Sequence, residues 1–249
     1  MTSVESELEV LVRVLGGIPD QAMRAAYLRH TLLARQPDEV ADLFTMAMAT
    51  TEGRQPGHAE LLQAMSLALA DEACQGLRAA TRAVLEARNL SSLAQALRND
   101  PVTEAAETQR IPDFGRGRTL SLGERKSIAR KNDRNLIARA LRDPHPDVIR
   151  ILLGNPALTE PDVVRLCARR PVSTEVLREV FKSPRWIVRY PIKVAMVLNP
   201  YTPLDVALQL APHLTAPDSR RVLEAEDLAD ELREACRRVH GRTETTTLH

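Results

Sequence analysis

The sequence predicts an all-α protein: an α-solenoid of short two-helix repeats, about 28 residues each, preceded by an N-terminal helical region. Apolar residues recur at helical spacing through most of the 249 residues, and no segment alternates convincingly like a strand. Aromatic residues make up only 3% of the chain, whereas β-rich folds usually carry more of them. Prolines also punctuate the second half of the chain at nearly regular intervals.

The first predicted domain spans residues 1–100 and is acidic and helical. Leu8, Leu11 and Leu15 lie on one face of a first helix, which the glycine pair at 16–17 ends. Asp20 is a predicted N-cap of a second helix, and Pro37 is the predicted first residue of a third. Apolar stripes that begin at Leu61 and Leu77 predict two more helices, and a short helix is predicted at 92–100.

Residues 101–121 interrupt the helical periodicity and are predicted to be a linker or a mobile loop. Proline, glycine and charged residues accumulate there. At the end of this stretch, Ser121 and Glu124 match the S-x-x-E capping box, in which each side chain bonds to the backbone N–H of the other residue. A helix is therefore expected to start near Leu122.

A basic α-helical repeat domain is predicted over residues 122–215. A proline cannot donate to a helix ladder and disfavours helical geometry in the residue before it, so each proline marks a helix boundary. Short helices are marginal alone and gain stability by stacking on their neighbours, as in a solenoid. Every second proline is 27 to 29 residues further along in the series Pro144, Pro156, Pro171, Pro184, Pro200 and Pro212.

A motif of an acidic residue, two aliphatic residues and an arginine follows several of these prolines. It reads DVIR at 147–150, DVVR at 162–165 and EVLR at 175–178, and asparagine–proline pairs recur at 155–156 and 199–200. This pattern resembles bacterial HEAT-like repeats and the leucine-rich-repeat variant, over residues 122–215, and it implies a helical repeat fold. The leucine-rich variant is associated with a cysteine-bound iron–sulfur cluster. The three cysteines here are far apart in the sequence, so no cofactor is expected.

Residues 216–249 are predicted to form a C-terminal capping helix and a disordered tail. Val222, Leu228 and Leu232 give an apolar side to one continuous helix over 217–239, which would close the last repeat. The polar stretch 241–249 is expected to be disordered.

Charge is distributed unevenly along the chain, although the formal net charge is only +1. Residues 1–108 carry a net charge of −6, residues 109–215 of +9 and residues 216–249 of −2. Arginine dominates the basic set, and one interpretation is that it reflects only the composition of the coding sequence. The other interpretation is that a positive field in the middle of the chain attracts an anionic partner.

The candidate partner- or phosphate-binding residues come from this basic region. The arginines of the repeat motif are expected to point away from the core, where they bind an acidic partner or pair with acids of an adjacent repeat, such as Asp147 or Glu175. The positive charge of the arginine-rich segment 116–142 would suit a nucleic-acid backbone or an anionic membrane. The alternatives are a solvated helix face tethered by a flexible arm, or a face docked on the acidic N-terminal helices. The candidates are Arg125, Lys126, Arg130, Lys131, Arg139, Arg150, Arg165, Arg178 and Arg189.

The predicted function is a non-enzymatic scaffold or adaptor that binds a protein partner through the repeat surface. The alternative is binding of a nucleic-acid backbone by the same arginines. No nucleophile with an adjacent base, phosphate-binding glycine loop or metal-ligand spacing is present, so no catalytic or metal-binding residue is proposed. Without a secretion signal or a long apolar stretch, a cytoplasmic location and no membrane span are expected.

Trp186 is the only tryptophan and lies between Arg185 and Arg189. HEAT-like DNA glycosylases use tryptophan and arginine on a concave face, which makes a similar role here an alternative. No catalytic carboxylate can be singled out beside these residues, however. Trp186 and Tyr190 are four residues apart and are instead expected to pack together in the core.

Overall fold

The computed structural model describes residues 3–99, 111–114 and 118–246 of the chain. Every regular element in these residues is a helix, which confirms the all-α fold class. The chain divides into two compact units: unit 1 comprises Met1–Asn99 and Leu204–His249, and unit 2 comprises Asp100–Pro203. None of the helices described is both long and apolar enough to cross a membrane.

The described residues contain sixteen α-helices and two short 3₁₀ turns, at Glu72–Cys74 and Ala211–His213. Unit 1 begins with α1 (Ser3–Gly16), α2 (Gln21–Leu33), α3 (Pro37–Glu52), α4 (His58–Ala70), α5 (Gln75–Ala87) and α6 (Ser91–Ala96). Unit 2 contains α7 (Leu122–Ala129), α8 (Arg134–Ala140), α9 (Pro146–Leu153), α10 (Glu160–Ala168), α11 (Thr174–Phe181), α12 (Pro184–Ile187) and α13 (Tyr190–Val197). Unit 1 resumes with α14 (Leu204–Leu210), α15 (Ala216–Glu224) and α16 (Asp230–Thr246).

The first helices of unit 1 start where local capping chemistry places them. The Asp20 side chain accepts a hydrogen bond of 2.9 Å from the backbone N–H of Met23 at the start of α2. α3 begins at Pro37, and the backbone N–H of Gln36 donates to the Glu39 carboxylate at 3.1 Å. Both starts agree with the sequence prediction.

The core of unit 1 is built around α4, which is buried along most of its length. α4 packs against α1, α2, α3 and α5. On α1, the predicted stripe of Leu8, Leu11 and Leu15 is buried. Burial of such aliphatic faces supplies most of the driving force that holds the helices together.

The C-terminal helices of the chain complete unit 1. α14 packs against α6, and α16 packs against α15 and α3. The Gln209 amide donates to the carbonyl of Ala96 at 2.6 Å, and the backbone N–H of Asn99 donates to the Asp205 carboxylate at 3.0 Å. Residues 204–215 therefore belong to unit 1, whereas the sequence pattern extended the repeat domain to residue 215.

The C-terminal segment differs from the single helix expected over 217–239. α15 ends at Glu224, and Ala225 takes an extended conformation (φ −82°, ψ 116°) before α16 begins at Asp230. No proline or glycine marks this break, so apolar spacing alone did not indicate it. α16 continues to Thr246, within the stretch expected to be disordered, and residues 247–249 lie outside the described part.

The helices of unit 2 are short, and each packs on a helix further along the chain. α7 packs against α9 and α9 against α11, while α10 packs against α13. Pro146, Pro184 and Pro191 lie in the first turns of α9, α12 and α13, where a missing backbone N–H costs no hydrogen bond. The prolines thus separate successive helices, as the sequence predicted.

The start of α7 has the predicted capping box. The backbone N–H of Ser121 donates to the Glu124 carboxylate at 2.9 Å, and the backbone N–H of Glu124 donates to the Ser121 hydroxyl at 3.4 Å. Most of the predicted linker at 101–121 precedes this point and lies outside the described residues, which resume at 111–114 and at 118.

An aspartate or asparagine before proline forms the same turn three times in unit 2, at Asp143, Asn155 and Asn199. In each turn the side-chain oxygen accepts a hydrogen bond of 2.9–3.0 Å from the backbone N–H two residues later. The proline between the two residues fixes its own backbone angle, which favours the turn.

Both asparagines also connect this turn to the end of a preceding helix. The Asn155 amide donates to the carbonyls of Ala129 and Lys131, both at 2.9 Å. The Asn199 amide donates to the carbonyls of Cys167 and Arg169, at 2.6 and 2.9 Å. Carbonyls at helix ends lack intrahelical partners, so these buried amides satisfy acceptors that would otherwise be unpaired.

Candidate functional site

The candidate site is the basic region of unit 2, which contains all nine cationic residues singled out from the sequence. Acidic residues in the first turns of α9 and α10 determine which of these cations are free to contact a partner. A carboxylate at a helix start is favourable because it complements the positive end of the helix dipole.

Asp147, in the first turn of α9, binds two of the candidates. Lys126 Nζ on α7 donates to its carboxylate at 2.6 Å, and Arg150, one turn further along α9, pairs with the same carboxylate. The hydrogen bond from Lys126, with a contribution from the Arg150 charge, keeps the pKa of Asp147 below its usual range. Lys126 and Arg150 are therefore engaged in the contact between α7 and α9.

Asp162, on α10, makes an equivalent arrangement. Two N–H groups of Arg134 donate to its carboxylate at 2.9 and 3.0 Å, and Arg165 donates at 2.7 Å. The hydrogen bonds from Arg134 are the main reason that the pKa of Asp162 is lowered. Arg189 is also paired, since its guanidinium lies 2.6 Å from the Glu160 carboxylate at the start of α10.

Arg125 and Asp143 form a buried ion pair, with 2.5 Å between Nη1 and Oδ1. Arg125 is 6% exposed and Asp143 is fully buried. Asp143 occupies the turn position held by asparagine at 155 and 199, but an ionised carboxylate cannot donate to a carbonyl. Where each asparagine binds two backbone carbonyls, Asp143 instead binds the guanidinium of Arg125. Because this pair is buried, Arg125 is not accessible to a binding partner.

Arg178 lies on α11 and is only 5% exposed, which corrects the expectation that the motif arginines all point outward. α11 packs against both α9 and α12, and six of its eight residues, Arg178 among them, are buried. The Arg178 guanidinium lies 3.9 Å from the Glu175 carboxylate.

Arg130, Lys131, Arg139 and Arg142 lie at the two ends of α8, and we refer to them as the basic surface. All four are exposed, and within the described part of the chain none of them forms an ion pair with a carboxylate. Arg130 donates to the carbonyl of Lys126 at 3.1 Å, and Arg139 donates to the carbonyl of Asp113 at 3.0 Å. α8 has seven residues and is about 10 Å long, so one pair of these charges precedes a short helix and the other lies at its end.

The chain matches no protein-family model, no curated protein and no solved structure. Across residues 3–99, 111–114 and 118–246, no group of three or more histidine, cysteine, aspartate and glutamate side chains could hold a metal ion.

The cysteines Cys74, Cys167 and Cys236 are buried free thiols. Burial raises the pKa of Cys236 to about 12 and also raises the pKa of Cys167. The thiolate is the reactive form of cysteine, so neither side chain is activated as a nucleophile in this environment.

Trp186 is buried, as the sequence predicted, and its indole N–H donates to the carbonyl of Leu153 at 2.7 Å. The guanidinium carbons of Arg185 and Arg189 lie 4.4 and 5.3 Å from the ring centre, within the range of cation–π attraction. Because the ring is 1% exposed, it is not accessible for stacking on a nucleobase.

The repeat length of about 28 residues predicts several side-chain contacts that the repeated acidic–aliphatic–arginine motif alone does not. Arg134 binds Asp162, which is 28 residues later, and Arg169 donates to the carbonyl of Leu141, which is 28 residues earlier. Residues one predicted repeat apart therefore contact each other. Pairing opposite charges at this spacing along the sequence would have identified the contact between Arg134 and Asp162.

Proposed function

We propose that the chain is a non-enzymatic scaffold that binds a protein partner, and that unit 2 is a short α-solenoid of two-helix repeats that presents the binding surface. The order of packing supports the solenoid, because α7, α9 and α11 contact in series and α10 contacts α13. Contacts between residues 28 apart agree with the period of the prolines and with the resemblance to HEAT-like repeats. Repeats of this kind present an extended surface to a partner.

The basic surface around α8 is the observation that carries this proposal. Six of the nine candidate cations pair with carboxylates of unit 2, whereas the basic surface has no such partner among the described residues. Exposed cations without a carboxylate partner are complementary to a surface that carries acidic side chains. We therefore infer that the protein partner presents acidic side chains to α8.

A charge-matched pair of variants tests the proposed site. The first replaces Arg130, Lys131, Arg139 and Arg142 by glutamine, and the second replaces Lys126, Arg150, Arg165 and Arg189, which are ion-paired. Proteins cross-linked to each variant in the native cell are identified after nuclease treatment. We expect the first variant to lose a protein that the unsubstituted chain and the second variant retain. Equal recovery with both variants would remove the basic surface from the proposal.

Binding of a nucleic-acid backbone is the second candidate, because the basic surface would serve phosphates as well as carboxylates. The described aromatic side chains of unit 2 are buried or half-buried, which disfavours stacking on single-stranded bases. Binding of labelled duplex and single-stranded oligonucleotides is measured at about 50 and 200 mM salt, a range over which four phosphate contacts lose about 10² in affinity. Tight binding with that salt dependence would favour nucleic acid over protein.

We further propose that the chain works in the cytoplasm, where buried cysteines remain reduced. Fractionation of the native cell with an antibody against the chain tests this location. Recovery in the membrane or extracellular fraction would contradict it.

A further inference from the structure

Three arginines meet where α8 ends, and we refer to Arg139, Arg142 and Arg169 as the arginine cluster. The backbone N–H of Arg142 donates to the carbonyl of Arg139 at 3.0 Å, so the helical turn continues through Arg142 and the two side chains, three positions apart, are neighbours. Arg169 follows α10 and reaches the end of α8, where its Nη1 group donates to the carbonyl of Leu141 at 2.9 Å. Arg139 and Arg142 are exposed and Arg169 is half-buried, so the cluster is open to solvent.

Backbone carbonyls hold two of the three guanidinium groups in place. Arg169 binds the carbonyl of Leu141, the C-cap of α8, and the last carbonyls of a helix lack partners within it. Arg139 Nη1 donates to the carbonyl of Asp113 at 3.0 Å. A guanidinium has five N–H donors, so each of these arginines keeps donors for a ligand after making one such bond. The carbonyls therefore position the side chains without neutralising their charge.

The positive charge of the cluster is not balanced nearby. Within residues 3–99, 111–114 and 118–246, none of the three arginines forms an ion pair with a carboxylate. Asp143 follows Arg142 in the sequence, but its charge is balanced by Arg125 at 2.5 Å. Burial and the neighbouring charge of Arg142 lower the pKa of Arg169, and Asp143 offsets part of this effect. Arg142 and Arg169 are thus interacting like charges, and a bound anion would relieve their repulsion.

A phosphate monoester is the anion that matches this cluster most closely. It carries a charge of about −1.5 to −2 at pH 7 and three acceptor oxygens, whereas a carboxylate has one charge and two oxygens. Guanidinium groups bind phosphate through pairs of parallel N–H bonds, and arginine clusters recognise phosphorylated side chains in several kinds of protein. A nucleic-acid backbone spreads its charges along a strand, whereas the cluster concentrates three cations at one end of a seven-residue helix.

We propose that the arginine cluster binds a phosphorylated side chain of the protein partner, with Arg139, Arg142 and Arg169 donating to one phosphate group. This inference rests on the proposed function, because it names the chemical group through which the partner contacts the end of α8. Arg139 and Arg142 belong to the basic surface, and Arg169 is added to it by its bond to Leu141. Arg130 and Lys131, before α8, then contact acidic residues that flank the phosphorylated one.

The first test compares three short peptides as ligands of the full chain. Each is a capped peptide of glycines around one central residue, which is phosphoserine, serine or aspartate. Nuclear magnetic resonance of the arginine Nε–H groups follows the titrations, because it detects dissociation constants in the millimolar range. We expect phosphoserine to bind at least about tenfold more tightly than aspartate or serine. Equal affinities for phosphoserine and aspartate, or no binding of the phosphoserine peptide, would overturn the proposal.

The second test locates the binding with matched arginine variants. We expect Arg142→Gln to raise the dissociation constant of the phosphoserine peptide at least about tenfold. Arg142→Lys keeps the charge but loses the paired donors, so it should retain only part of the affinity. Arg150→Gln is the control, because Arg150 is an exposed arginine of unit 2 that is paired with Asp147, and it should leave the affinity unchanged. Circular dichroism confirms that the variants are folded. Equal weakening by Arg142→Gln and Arg150→Gln would show that net charge, rather than the cluster, accounts for binding.

Two further outcomes separate this inference from the proposed function. A protein partner that requires the basic surface, but binds equally well after phosphatase treatment, would leave the scaffold proposal standing and contradict the phosphate inference. A duplex oligonucleotide that binds more tightly than the phosphoserine peptide, and that requires Arg130 and Lys131 as well, would contradict both and favour nucleic acid. Loss of partner binding after phosphatase treatment is the result we expect.

Discussion

Single side chains at positions 143, 155 and 199 both shape a turn and tie it to another part of unit 2. Where the side chain is asparagine it donates to two backbone carbonyls, and where it is Asp143 it accepts from Arg125 instead. The sequence showed the recurring asparagine–proline pairs, but it did not show that Asp143 belongs to the same set. What recurs at the three positions is the side-chain oxygen that accepts from the backbone N–H two residues later.

Arg125→Leu should destabilise the chain severely, because it leaves the buried Asp143 carboxylate without its cation. Loss of one partner from a buried ion pair typically costs about 3–5 kcal/mol. Urea denaturation followed by circular dichroism measures the change, with exposed Arg130→Leu as a control expected to change stability by less than about 0.5 kcal/mol. Adding Asp143→Asn to Arg125→Leu should recover part of the loss, since it removes the unpaired charge. A small effect of Arg125→Leu would mean that the pair is not buried in solution.

Asp162 makes the stability of unit 2 depend on pH. Its pKa is lowered in the folded chain, mainly by hydrogen bonds from Arg134. A lowered pKa contributes stability at pH values above the unfolded value of about 3.9, and this contribution is lost as the pH falls below it. Asp162→Asn should therefore reduce the slope of unfolding free energy against pH on the acidic side of pH 4, relative to the unsubstituted chain. An unchanged slope would show that the pair with Arg134 does not persist in solution.

Helix starts and stops were the best-predicted elements, because they depend on residues within one turn. Asp20, Pro37 and the capping box at Ser121 and Glu124 all act locally, and each of these starts is confirmed. The break between α15 and α16 was missed because residues 225–229 contain no proline or glycine to signal it. Three partners of the arginines were missed because the pairs Arg134–Asp162, Arg125–Asp143 and Arg189–Glu160 join residues that are 18 to 29 positions apart.

The turn at Asn199 should contribute strongly to the packing of α13 on α10. Asn199→Asp replaces a donor of two hydrogen bonds by a carboxylate that faces two carbonyls, so it should destabilise the chain more than Asn199→Ala. The alanine variant alone leaves buried carbonyls unpaired, which costs about 1–3 kcal/mol per group. Thermal unfolding compares the two variants. Equal effects would indicate that water replaces the amide.

The whole chain is organised as one unit inserted within another. Unit 1 is built from residues on both sides of unit 2, and its two parts meet where the Asn99 backbone bonds to the Asp205 carboxylate. The sequence pattern predicted an all-α chain with a basic middle. It also predicted domains that follow one another along the chain, whereas unit 1 is formed by two separate segments. Contact between α6 and α14, more than a hundred residues apart, leaves no local signal in the sequence.

This organisation predicts how fragments of the chain behave. A fragment of residues 1–99 should be unstable, because it lacks the helices that cover α3 and α6. Residues 1–99 joined to 204–249 by a short glycine–serine linker should fold, because the Asn99 N–H lies only 3.0 Å from the Asp205 side chain. Circular dichroism and thermal unfolding compare the two. A cooperatively folded 1–99 fragment would contradict the division into units.

The discontinuity of unit 1 has a consequence for synthesis on the ribosome. About a hundred residues of unit 2 are added between Asn99 and Leu204, which takes about 5–20 s at 5–20 residues per second. During that interval the surfaces of α3 and α6 that later contact α16 and α14 remain exposed on the nascent chain. Unit 2 can therefore finish folding before unit 1, which surrounds it in the sequence. Chaperones that bind exposed apolar helices can bind the N-terminal helices during these seconds.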